Sequence, residues 1–85
     1  MVLALSCPVV FGAPDKEAQT FYKNALNLSQ KKDWGNAVTE FLKAAELAPQ
    51  DSLIQANLGV ALSQMGKYKE ALLSFEKALR LGYDS

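Results

Sequence analysis

Apolar residues recur at helical spacing from Asp15 to the end of the chain, and nowhere does the pattern alternate as a strand would. Pro14-Asp15 reads as a helix start, with Asp15 placed to accept from free backbone N–H groups and Glu17 suited to the positive helix end. Phe21, Ala25 and Leu28 share one face of this first helix, with Tyr22 and Leu26 beside it. Lys31-Lys32-Asp33 breaks the pattern, and Asp33 is the expected cap of a second helix. Ala37, Phe41, Ala44, Ala45 and Leu47 line that helix, and Pro49 closes it. Asp51 or Ser52 is expected to cap a third helix with the apolar stripe Leu58, Leu62 and Met65. Gly66 ends it in the left-handed conformation that glycine permits. A fourth helix runs from about Lys67, with Leu72, Phe75 and Leu79 on one side, Ala71 and Ala78 beside them, and Gly82 as its C-terminal cap. The pattern predicts an all-α chain of four antiparallel helices with short connections.

The pattern also repeats. Ala37 and Ala71, Phe41 and Phe75, Ala44 and Ala78, and Leu47 and Leu81 are each separated by 34 residues. Leu28 and Leu62 keep the offset, Trp34 and Tyr68 keep an aromatic residue, and Ala25 and Gly59 keep a small one. A generic amphipathic stripe does not repeat size class by size class. Leu58-Gly59 followed by Leu62, Gly66, Tyr68, Ala71, Phe75 and Ala78 resembles the core of the tetratricopeptide repeat. Phe21, Ala25, Trp34, Ala37, Phe41, Ala44 and Pro49 resemble it more loosely in a first unit. Asn24, Gln55 and Tyr83 depart from the family pattern. The resemblance implies tandem helix-turn-helix units at residues 18–51 and 52–85, within a repeat domain of residues 15–85. In such a stack Ala25 or Gly59 lets the two helices of a unit approach, and Phe41 and Phe75 fill the space beside that contact.

The resemblance further implies a concave groove lined by the first helix of each unit, binding an extended peptide or a partner's helix. Helical geometry points Gln19, Tyr22, Lys23, Leu26, Ser29 and Gln30 into it from the first helix. From the third it points Leu53, Ala56, Asn57, Val60, Ser63 and Gln64. This mixed surface suits a neutral, partly apolar ligand. A carboxylate clamp for chaperone C-termini, known in the family, is an alternative. It uses a Lys and an Asn on the first helix, an Asn on the third, and a Lys and an Arg on a fifth. Only Asn57 matches, with Tyr22 and Leu26 at the first two places. A second alternative is homo-oligomerisation. Two units are few for a repeat stack, and Leu72, Leu73, Leu79 and Leu81 form a candidate oligomer edge through which the chain would dimerise. A longer repeat protein, of which this chain is a part, would explain the same edge, as would the apolar leader from Val2 to Phe11 folding back over it.

Composition narrows the chemistry. Nine basic and nine acidic residues give a net charge of +0, with pI near 6.2. That balance argues against nucleic-acid partners, which need a basic surplus. The sequence contains no histidine and one cysteine, so the commonest general base is missing and a thiolate metal cage cannot form. An enzyme is therefore not expected, nor a cofactor or metal. Glu40 and Glu46, like Glu70 and Glu76, are spaced so that neither pair shares a helical face. Asn27-Leu28-Ser29 matches the glycosylation triplet within a predicted helix, where chance explains it. Residues 1–14 form an uncharged apolar leader holding Cys7. It is too short to span a bilayer, which takes about 20 residues, so membrane contact is expected only through it. Its character points towards a signal-peptide remnant and an exported protein, with a disordered tail and a cytoplasmic protein as the alternative.

Overall fold

A computed structural model describes the backbone of residues 2–82 and the side chains of residues 16–82. Its elements are α1 (Val2–Gln30), α2 (Trp34–Leu47), α3 (Ser52–Gln64) and α4 (Tyr68–Arg80). Among the described residues there is no strand; they form four α-helices arranged as two helix-turn-helix units. Consecutive helices pack as antiparallel neighbours: α1 on α2, α2 on α3, and α3 on α4.

The start of α1 differs from expectation. The helix passes through Pro14 and Asp15 instead of beginning there. Proline inside a helix removes one backbone donor and crowds the carbonyl four residues before it, but its φ is helix-compatible, and here the helix continues across it. The leader and the first unit thus share one continuous helix. The side chains of the leader, Cys7 included, lie outside the described residues.

Both helix-turn-helix units close their first turn in the same way. In the first, Asp33 N–H donates to the Leu28 carbonyl at 2.8 Å and Lys32 N–H to Ser29 at 2.9 Å. In the second, Lys67 N–H donates to Leu62 at 2.9 Å and Gly66 N–H to Ser63 at 3.0 Å. These bonds satisfy the last helical carbonyls and require a left-handed residue at the turn. Gly66 supplies it at φ 80°, and Lys32 supplies it at φ 63°. Glycine adopts that conformation freely, whereas a side chain costs about 1–2 kcal/mol. Lys32→Gly is therefore expected to stabilise the chain by about 0.5–1 kcal/mol once the larger entropy of unfolded glycine is deducted, read as a raised urea midpoint at unchanged slope.

The caps are unequal. Asp51 precedes α3 and its carboxylate accepts from Leu53 N–H at 3.0 Å, as expected. Asp33 occupies the cap position of α2 without capping by its side chain. Its carboxylate instead accepts from Asn36 Nδ2 at 2.9 Å.

The core lies between the helices, built from Ala25, Ala37, Phe41, Leu58, Ala61, Leu62 and Ala71. Tyr22, Leu26, Leu28, Trp34 and Val38 pack against it half-buried. Small residues at Ala25, Ala37, Ala44, Ala71 and Ala78 are all buried, which lets the helix axes approach closely. Helix α3 is the most enclosed, because α2 and α4 cover it from two sides. Gln55, which stands where the family pattern has an aromatic residue, is buried in it. Met65 was expected on the apolar stripe of α3; it is instead the residue that ends the helix, and it is exposed.

Candidate functional site

The predicted groove residues come from α1 and α3, helices that touch little directly. One hydrogen bond bridges them: Asn57 Nδ2 donates to the Tyr22 hydroxyl at 3.0 Å. The same Nδ2 donates to the Leu53 carbonyl at 3.0 Å, so both amide hydrogens of Asn57 are committed. Below the hydroxyl, the Tyr22 ring packs on Phe41, with centroids 5.9 Å apart and planes tilted by 57°. Tyr22 thus ties α1 to the core through its ring and to α3 through its oxygen.

Around this bridge the other residues are distributed as follows. Gln19, Lys23 and Gln30 are exposed on α1, and Leu26 and Ser29 are half-buried. On α3, Leu53, Val60 and Gln64 are exposed, and Ser63 is half-buried with its hydroxyl turned back to the Gly59 carbonyl at 2.9 Å. Ala56 is buried, 8% exposed. It therefore offers a ligand little surface, contrary to the expectation for it. No charged residue occurs in α3, so Lys23 is the one ionic side chain of the predicted set.

The predicted oligomer edge divides on inspection. Leu72 and Leu79 are exposed on α4 and share a stripe with Tyr68 and Phe75, also exposed. These four recur at steps of four, three and four, which places them on one helical face. Leu73 is exposed but stands about 100° around the helix from Leu72, outside the stripe. Leu81 is half-buried at the C-terminal cap of α4, so it is not part of an open edge. Tyr68 and Phe75 were absent from the expected edge. For Phe75 the signal was its helical spacing with Leu72 and Leu79, and for Tyr68 the 34-residue offset that pairs it with Trp34.

A shallow notch between α1 and α2 is lined by Glu17, Thr20, Phe21, Lys43, Glu46 and Leu47. There the Lys43 ammonium lies 5.5 Å from the centre of the Phe21 ring and 3.4 Å from the Glu40 carboxylate. Such an exposed set contributes little beyond covering the ring. Among the described residues, no group of three or more acidic or cysteine side chains is placed to hold a metal ion. Among the same residues, no helix is long and apolar enough to cross a membrane.

Paired helices packed one on the next, each burying its row of small residues, define a helical-repeat fold. The second pair matches the family model described as Tetratricopeptide repeat over residues 53–81. It is similar to human (Homo sapiens) DnaJ homolog subfamily C member 7, with 28% identity over 91 residues. That alignment covers 95% of this chain and 18% of the relative. The mouse (Mus musculus) protein of the same name is 25% identical over a similar span. Hsp70-Hsp90 organizing protein 3 of Arabidopsis thaliana is 38% identical over 53 residues, 62% of this chain and 10% of the relative. The chain therefore spans less than a fifth of the length of these relatives.

Proposed function

We propose that this chain is a non-catalytic protein-interaction module that receives a peptide segment or partner helix across the shared face of α1 and α3. The observation that carries this reading is the surface around the Tyr22–Asn57 bridge. Leu53 and Val60 stand exposed there beside half-buried Tyr22 and Leu26, and the hydrogen bond holds the two helices at a defined spacing. Exposed aliphatic side chains on a pre-organised surface mark contact sites, because a partner gains their burial without an ordering cost. Gln19, Gln30 and Gln64 around them can bond the polar backbone of an extended ligand. The ligand this face suits is neutral and partly apolar.

The organizing protein among the relatives carries chaperones in its name, and a chaperone-derived partner is compatible with this reading. A clamp for a terminal carboxylate is a poorer fit. Tyr22 and Leu26 stand where cationic and amide side chains are needed, and the Asn57 amide hydrogens are already engaged.

Selection of a random peptide library on the whole chain tests the proposal. Enriched peptides are expected to carry aliphatic and aromatic residues, to tolerate C-terminal amidation, and to bind at least about tenfold more weakly to Val60→Asp. Val60 is exposed, so this variant keeps its fold. Enrichment insensitive to Val60→Asp would move the binding site off this face. A strict requirement for a free carboxylate would restore the clamp.

A further inference from the structure

At the centre of the α1–α3 face stands one amide whose orientation is fixed by its neighbours. Leu53, Asn57 and Val60 follow one another at steps of four and three, so they share a face of α3. Leu53 and Val60 are exposed, and Asn57 lies between them, half-buried. The Leu53 carbonyl can only accept, so the amide must turn Nδ2 towards it. The same nitrogen donates its other hydrogen to the Tyr22 hydroxyl oxygen at 3.0 Å. Among the described residues no donor is bonded to Asn57 Oδ1, and every buried side-chain oxygen and nitrogen has a partner. Oδ1 is therefore presented at the surface.

The two acceptors of Asn57 differ in kind. The Leu53 bond is local, four residues back on the same helix, and any α3 with asparagine here can form it. The Tyr22 bond crosses 35 residues of sequence and depends on a hydroxyl at one position of α1. That hydroxyl is held in place from below, because the Tyr22 ring packs on Phe41. Phenylalanine at position 22 would keep the ring contact and leave one Asn57 N–H without its acceptor. Helix α3 has no charged residue, so this amide decides the polarity of the face between Leu53 and Val60.

We infer that Tyr22 is a positioning residue that sets the ligand specificity of the α1–α3 face, resting on the reading of that face as the ligand site. Its hydroxyl engages the Asn57 donor and leaves an acceptor, Oδ1, as the polar contact between two aliphatic side chains. The ligand selected is neutral at this point and supplies a donor, an amide N–H or a hydroxyl. A carboxylate at the same point would meet Oδ1 acceptor against acceptor and lose water without gaining a partner. Without the Tyr22 oxygen the preference reverses, since the freed N–H can bond a carboxylate in a charge-assisted contact stronger than a neutral one.

Parallel selections from one random peptide library, on the full chain and on its Tyr22→Phe variant, test this. Peptides are kept only if Val60→Asp weakens them at least about tenfold, which confines the comparison to this face. The parent chain is expected to enrich neutral peptides in which one donor dominates. N-methylation of a single amide, or alanine in place of a single Ser, Thr, Asn or Gln, should weaken them at least about tenfold. That sensitivity should vanish in the Asn57→Leu chain. Tyr22→Phe is expected to enrich peptides with a terminal or side-chain carboxylate, bound at least about tenfold more tightly than by the parent. A merely structural role for Tyr22 would weaken all ligands alike and leave this preference unmoved. Circular dichroism of Tyr22→Phe is expected to match the parent, and the Asn57→Leu arm decides independently of that variant. Equal carboxylate content from both selections, or a donor sensitivity that survives Asn57→Leu, would overturn the role of Tyr22 and leave the face a ligand site. If no selected peptide responds to Val60→Asp, the face is not the ligand site and the role of Tyr22 falls with it.

Discussion

Phe41→Ala is expected to cost about 3–5 kcal/mol and to leave the chain largely unfolded at 37 °C. Phe41 is among the largest fully buried side chains, in a cluster with Ala25 of α1, Ala37 of α2 and Leu58, Ala61 and Leu62 of α3, its ring against Tyr22. Truncation removes its transfer energy and opens a cavity that the small residues around it cannot fill. The stability of a domain of this size is on the order of 5–10 kcal/mol, so the loss consumes much of it. The register-equivalent change Phe75→Ala should cost only about 1–2 kcal/mol, because that ring already meets water over part of its surface. Urea unfolding of both variants checks the pair. Equal losses would contradict the difference in coverage between the two units.

The second large effect is expected at Gly59. A Cβ at that position would lie 2.7–2.9 Å from three carbons of the Phe75 ring, closer than non-bonded carbons approach. The helix uses glycine there despite its poor propensity because α3 and the Phe75 ring meet at that point. Gly59→Leu is expected to destabilise by about 1–3 kcal/mol through overpacking. Gly59→Ala should be nearly neutral, since about 1 kcal/mol of helix propensity offsets a displacement of the ring. A double-mutant cycle with Phe75→Ala identifies the cause: removal of the ring should recover at least half of the Gly59→Leu penalty. An undiminished penalty in the Phe75→Ala background would show that the ring is not what Gly59 makes room for.

Helices α2, α3 and α4 were legible because their limits are set by local chemistry. Asp51 caps by its own carboxylate, and Gly66 and Gly82 take positive φ where a helix must end. The size-class repeat also disclosed which small residues would be buried, from Ala25 to Ala78. Local signals failed where a residue had two options. Asp33 has the right chemistry for a cap but bonds Asn36 instead. Lys32 carries no mark of the left-handed conformation it adopts; only its register equivalence to Gly66 hints at it. Ala56 and Asn57 lie one step apart on α3, yet one is buried and the other bridges to α1. That outcome depends on how closely α1 and α3 approach, a distance that periodicity does not encode.

By itself, the sequence determined the all-helical class, the 34-residue register, and the pairing of small with large residues that makes stacking obligatory. These follow from side-chain size and spacing along one chain. The tertiary structure decided which equivalent residues are covered. Phe41 and Phe75 share a residue type and a register position, but Phe41 lies on a helix packed between α1 and α3, whereas among the described helices Phe75 meets only α3. Burial is a property of neighbours, so identical side chains in identical local patterns become core in one unit and open surface in the other.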